Sequence, residues 1–354
     1  MKYVACLRVG QNDIKALANL EEERRVDIAP LLEMRGKDDK HLKAFFKAWQ
    51  QHNFFLDVSR VPSDIKEAYI QENDLLNHAN GFSKKESFFD DSHVLASGLI
   101  PVVSWVDTDP QRDIVQSALR LSAKYQTIAI RPRLSSDITP ATNSRLFAIL
   151  DAVPSPENIV VILDFLTTPP TDMSAGSPTH KTLSRLDQYG LQSICLLSTT
   201  FPADKPTSNT SRTVLCSDPT WQSAAMALGL KTTIVEGDYG ATNPASPMEY
   251  VNGMPVIPFA NYYTPPEWWQ RRKGGDKEYS NYIAIAQEIT RLPGFNEAHC
   301  WGTREIAKIS RLPPNADGGY GNNGHWNGIK SNQHICVTID RIRADEDVDY
   351  DDLI

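Results

Sequence analysis

"TIAIRPRLSS" (residues 127–136) begins as a buried strand and ends as something else. Ile128 and Ile130 stand two apart, the spacing that puts both on one face of an extended chain. Arg131 and Arg133 then take the positions where the apolar run should close. Guanidinium groups confined to a strand's end fit a parallel strand whose C-terminal end opens on a polar mouth. The same construction recurs along the chain. Val/Ile/Leu-rich runs lie at 3–9, 27–34, 53–58, 99–104, 127–133, 158–164, 193–198 and 232–236, mostly separated by segments long enough for a helix.

Several of those segments carry helix signals. "DDKHLKAFFKAWQQH" places Leu42, Phe45, Phe46 and Trp49 on one helical face, and "NDIKALANLEEE" opens with Asn or Asp as a cap. "DPQRDIVQSALRLSAKY" and "SDPTWQSAAMALGL" both open with Asp-Pro, and the second closes at Gly229. Eight β-then-α units predict an α/β chain folded as a (β/α)8 TIM-like barrel, whose usual size of about 250 residues leaves about a hundred for inserts and an extension. A doubly wound open sheet is the alternative, because periodicity does not show closure.

The expected organisation is a barrel over 1–310, a C-terminal extension over 311–345 packed on it, and an acidic tail over 346–354. The segment 60–96 is read as two short helices, and the Pro/Ser/Thr-rich "TTPPTDMSAGSPTH" and "FPADKPTSNTSRT" as loops on the C-terminal face. "VIPFANYYTPPEWWQRRKGG" is read as an extra strand and an aromatic, basic turn, and "HICVTIDRI" as a strand. "DGGYGNNG" superficially resembles a dinucleotide fingerprint, but no strand leads into it, which makes it a turn.

The net charge of -8 argues against coating nucleic acid over the whole surface, while leaving room for a local basic groove. Five cysteines form no CxxC pair, and no apolar run approaches the roughly 18 residues of a membrane helix. A soluble, cytoplasmic protein without a membrane partner is expected. The histidines form no HxH or HExxH cluster, and neither a GxSxG elbow nor a GxxxxGK[ST] phosphate loop is present.

If the runs are barrel strands, their polar ends gather at the mouth: Arg8, Glu33 with Arg35, Asp57 with Arg60, Ser104, Arg131 with Arg133, Asp164, Ser198, and Asp238 with Tyr239. Two readings follow. In one, the acids simply accept hydrogen bonds from Arg8, Arg131 and Arg133 in a buried ring of ion pairs. In the other, Arg8, Arg131, Arg133, Ser198 and Tyr239 hold an anionic ligand, a phosphate-bearing small molecule or a nucleic-acid end. Glu33, Asp57, Asp164 and Asp238 then serve as acid/base groups or magnesium ligands in phosphoester hydrolysis. The "NYYTPPEWWQRRK" segment could stack on bases, although packing under the rim is favoured.

"MKYVACLRVGQNDIKALANL", "IAPLLEMRG", "FLDVSR", "AIRPRL", "VILDF", "GDYG", "CWGTREIAKI" and "QHICVTI", in that order, resemble the beta-family proteins of tailed phages and bacteria, which are distinct from the similarly named phage annealing protein. The resemblance spans nearly the whole chain and implies a barrel. It marks Glu33, Asp57, Arg131, Arg133, Asp164, Asp238 and Tyr239 as family-like positions, and Trp301, inside "CWGTREIAKI", joins the candidate ligand-binding residues. It implies a setting on phage and mobile-element genomes, some associated with phage defence, where a protein partner is the alternative to a small ligand. It supplies no reaction.

Overall fold

A computed structural model describes residues 1–134, 138–170, 172–244 and 254–346. The expected acidic tail over 346–354 lies outside them except for Glu346. The strands are β1 (Tyr3–Arg8), β2 (Leu31–Met34), β3 (Phe54–Val58), β4 (Leu99–Ser104), β5 (Ile128–Arg131), β6 (Ile159–Asp164), β7 (Ser193–Leu197), β8 (Ser211–Leu215), β9 (Ile234–Asp238), β10 (Phe259–Thr264) and β11 (Glu267–Arg272). β1 to β7 and then β9 pair in order, all parallel, and β9 closes onto β1 with Ala5 opposite Asp238. Closure decides for the barrel and against the open sheet.

All eight apolar runs read from the sequence are barrel strands. They are apolar on both faces because both faces are covered. One set of alternate residues, including Val4, Leu31, Phe55, Val102, Ala129, Ile162 and Leu197, fills the barrel interior. The opposite set, including Leu7, Leu32, Leu56, Ile130, Val161 and Leu196, packs with the surrounding helices in the larger outer core.

Helices fill the crossovers: α1 (Gln11–Ala18) and α2 (Glu22–Arg25), α3 (Lys40–Ala48), α4 (Ala68–Glu72) and α5 (Ala79–Leu95), α6 (Gln111–Lys124), α7 (Pro140–Ala152), α8 (Pro178–Asp187) and α9 (Asp218–Met226). The segment 60–96 holds one short helix and one of 17 residues rather than two short ones. Regular helix in α5 follows three left-handed residues, Asn80, Gly81 and Phe82.

Three expectations change in and after the β7–β9 connection. The end of the "FPADKPTSNTSRT" loop is strand β8, and "EWWQRR" is strand β11 rather than a turn. Together with β10 they form an antiparallel sheet in the order β10-β11-β8. "HICVTIDRI" is helical, part of α12 (Asn323–Glu346), which follows α10 (Asn281–Ile289) and α11 (Trp301–Ser310). Its β-branched residues suggest a strand, but Ile335, Ile339 and Ile342 recur at helical spacing and all are buried.

α12 is tied down by polar side chains as well as apolar ones. Gln333 bonds both ways to the backbone of Tyr263, Asn332 donates to Ala16 O at 2.9 Å, and Ser331 donates to Gly240 O at 3.1 Å. The N-terminal half of this helix is thereby pressed against the barrel mouth. At the crossing with α11, Gly302 leaves no room for a side chain: a Cβ there would sit 2.6 Å from Ile329 O.

Candidate functional site

The inward alternation of the strands continues past their apolar residues, so the last inward positions carry Arg8, Glu33, Asp57, Ser104, Arg131, Asp164 and Tyr239. All of them but Arg8 and Ser104 meet at Arg131, which is fully buried. Its Nε and Nη2 donate to Asp164 Oδ2 at 3.0 and 2.7 Å, and its Nη1 donates to Glu33 Oε1 at 2.9 Å and Asp57 Oδ2 at 3.2 Å. Nη2 also faces Cys6 Sγ at 3.5 Å and Tyr239 OH at 3.4 Å. The guanidinium is thus enclosed by protein acceptors.

A second cation enters from outside the strands. Lys85, on α5, donates from Nζ to Asp57 Oδ1 at 2.7 Å and to Ser104 Oγ at 3.0 Å, and Ser104 Oγ donates to the same carboxylate oxygen at 2.7 Å. Arg133, at the rim, pairs with Glu33 and stands 3.8 Å from Asp164. Three carboxylates therefore meet three cations, which makes this much burial tolerable. Burial opposes ionisation of Asp57, but Lys85 and Arg131 outweigh it and hold the carboxyl below its ordinary range. Burial and then the Asp164 charge push the Tyr239 phenol well up, so it stays a donor, and it donates to Asp164 Oδ1 at 2.6 Å.

The other candidates lie outside this network, although Arg8 also lines the cleft at the mouth. Arg8 does not join the ring; it forms a two-bond pair with Asp64, through Nε at 2.8 Å and through Nη2. Asp238 has outward parity and is bonded by Tyr3 OH at 2.5 Å, with His334 Nε2 at 2.7 Å. Ser198 follows inward Leu197, and its N–H donates to Gly237 O at 3.3 Å. Trp301 packs among the C-terminal helices with Lys15 5.1 Å from its ring centroid. In "NYYTPPEWWQRRK", Tyr262, Tyr263 and Trp268 are buried as packing residues, while Arg271 is not a solvated end but pairs with Glu288 at 2.9 Å.

Above this network the mouth opens into a cleft of about 220 Å³, with Cys6, Glu33 and Tyr239 among the residues lining it. Asp13 follows β1, Arg35 follows β2, Phe201 and Lys205 follow β7, and Lys330 comes from α12. Lys330 is 5% exposed, its Nζ lies 4.8 Å from the Phe201 ring centroid, and it makes no hydrogen bond or ion pair among the described residues. Burial first, and then the nearby Lys205 charge, bring its ammonium down to about 8 against the opposing pull of Asp13. Burial likewise pushes the Asp13 carboxyl up, opposed by Arg35 and Lys330.

The family profile described as Beta protein matches residues 3–340. The chain belongs to the Beta protein family. Comparison with curated proteins returns no match. The Beta protein match runs from β1 into α12, so it takes in both the axial network and the cleft lysine. Among the described residues, no three His, Cys, Asp or Glu side chains are gathered to hold a metal ion, and none of the helices is long and apolar enough to cross a membrane. All five cysteines are buried, and none of them forms a disulfide among the described residues.

Sequence reading missed Lys85, Asp64, Asp13, Lys205 and Lys330 in this Beta protein. Lys85 had a signal: Phe82, Lys85, Phe88, Phe89 and Ser92 recur at three- and four-residue steps and all are buried. Lys330 had none while its neighbourhood was read as loop and strand.

Proposed function

We propose that this protein binds an anionic, phosphate-bearing ligand in the cleft at the barrel mouth, with Lys330, Lys205 and Arg35 as the cationic wall. The observation carrying this reading is the buried ammonium of Lys330, which faces the cleft without a hydrogen-bond acceptor among the described residues while a second lysine raises the local positive potential. A buried cation without a partner is costly, and a ligand anion is the group that would relieve it. The mouth of a (β/α)8 barrel is also where such ligands are usually held.

On this reading Arg131, Glu33, Asp57 and Asp164 support the cleft from below. Glu33 and Tyr239 form part of its floor, and Arg131 fixes both. Hydrolytic roles for Asp57 or Asp164 would require them to exchange Lys85, Arg131 or Tyr239 for substrate. Binding is therefore favoured over hydrolysis.

Thermal melts of the full chain with inorganic phosphate, a nucleoside diphosphate and a short 5′-phosphorylated oligonucleotide test the proposal. At about 100 times its dissociation constant a ligand adds about 2.7 kcal/mol, which shifts the melting temperature by several degrees. A saturable shift that disappears in Lys330→Gln with Lys205→Gln is expected. No shift with any of the three, or an equal shift in the double variant, overturns the assignment.

A further inference from the structure

We infer that Lys330 is a carbonyl-binding lysine, forming an imine through Nζ with an anionic aldehyde or ketone admitted to the cleft, while Asp13 exchanges the protons. The inference rests on the proposed anion binding and names the class of ligand: a carbonyl compound that also bears a phosphate or carboxylate group.

The geometry distinguishes Lys330 from the other buried lysine. Lys85 is spent on Asp57 and Ser104 and lies in the axial network, whereas Lys330 lines open space with the Phe201 face beside its ammonium. An amine becomes a nucleophile when it is desolvated and set beside another cation, because both conditions favour its neutral form. Lys330 meets both, with Lys205 as the neighbouring charge. At pH 8 about half of this amine is neutral, against well under one in a hundred of an ordinary lysine. Facing it, the half-buried Asp13 lines the same cleft and is displaced toward its protonated form by burial. Asp13 lies over Gly10, where a Cβ would meet its Oδ2 at 2.9 Å and Arg35 Nη2 at 3.4 Å, and the charges of both Arg35 and Lys330 act on its carboxyl.

The step balances without an oxidant or reductant. The neutral Nζ attacks the carbonyl carbon and a C–N bond forms; the carbonyl oxygen takes a proton from the protonated Asp13 carboxyl and nitrogen returns one to the resulting carboxylate, which gives a neutral carbinolamine. Asp13 then passes that proton to the hydroxyl, the C–O bond breaks, water leaves, and a protonated imine remains with the Asp13 carboxylate as its counter-charge. The anionic part of the ligand is met by Lys205 and Arg35.

The test uses the intact chain and pyridoxal 5′-phosphate, an anionic aldehyde, at substoichiometric concentration and pH 8, with borohydride to fix the imine and peptide mapping to locate it. Labelling of Lys330 at least about tenfold over exposed lysines such as Lys37 and Lys47 is expected. Inorganic phosphate should slow it, and Asp13→Asn should slow imine formation without removing the phosphate-induced melting shift. Lys330→Arg should abolish the label at that site.

Label confined to exposed lysines overturns the imine proposal, whatever phosphate does to the melting temperature. Label at Lys330 with neither phosphate protection nor a melting shift supports the reactive amine and overturns the anion-binding reading. The wild-type map decides the question even if a variant fails to fold.

Discussion

Arg131 shows how one side chain can fix the chemistry of a barrel axis. Glu33, Asp57 and Asp164 all lean on it, so removing it would leave buried carboxylates short of their partner. Arg131→Met is expected to destabilise the fold by about 3–5 kcal/mol in urea unfolding, the cost typical of breaking a buried ion network from one side. Lys330 should behave oppositely. Its folded-state value of about 8 lies below the ordinary 10.5, so the folded chain resists protonation at this site. That cost is present in full below about pH 8 and is relieved as pH rises toward 10.5, where the unfolded chain also loses its proton. Lys330→Met should therefore raise stability at pH 7 by up to about 3 kcal/mol, and the gain should vanish in melts above pH 10.5. At this scale the strand-borne residues were legible, because a charge ending an apolar run is conspicuous and parity says which neighbours share its face. The inward direction of Glu33, Asp57, Arg131 and Asp164 follows from that rule, and so does the outward direction of Asp238. Lys330 was not legible, since one lysine on a helical face reads like any solvated one until the packing of that face is known.

Among the elements, α12 governs the mouth. It supplies Lys330, anchors to β10 through Gln333, and meets α2 through Asp340, which accepts from Arg24 Nε at 3.1 Å and Nη2 at 2.8 Å. His299, just before α11, joins the same carboxylate at 2.8 Å. The hydrogen bond to Asp340, and then the Cys300 sulfur, push its imidazole up to about 9 against the effect of partial burial. A raised histidine contributes stability fully below its ordinary 6.5 and loses it as pH climbs through about 9. His299→Ala should thus be most destabilising near pH 6 and nearly silent above pH 9, as read in melts across that range. The α11–α12 crossing offers a second check. Gly302→Ala would force the helices apart against the Ile329 carbonyl, and a loss of about 2 kcal/mol or more is expected in chemical denaturation. Reading α12 as a strand was an error of local propensity: Ile, Val and Thr favour strands, while the burial of Ser331, Asn332, Gln333 and His334, each bonded to a distant element, could not be seen from neighbours in sequence.

The molecule as a whole keeps its eight-unit order despite one insertion. The barrel was legible because each of its strands is a short, doubly buried apolar run, a pattern independent of which helix covers it. The β10-β11-β8 sheet was not, because β8 is largely exposed and its partners arrive some fifty residues later in the chain. That insertion constrains how the chain can be assembled. β8 precedes the strand that closes the barrel, yet it pairs with β11, which follows closure. A chain ending at residue 258 would retain every barrel strand while leaving Ser211–Leu215 as an open hydrogen-bonding edge and the mouth without α12. Such a truncation is expected to aggregate, as measured by light scattering, rather than to yield a smaller cooperative unit. During synthesis on a ribosome, the cylinder would be complete in sequence well before its opening was roofed. Emergence of the last hundred residues, rather than closure of the strand ring, would then set the moment at which a newly made copy could first capture its ligand.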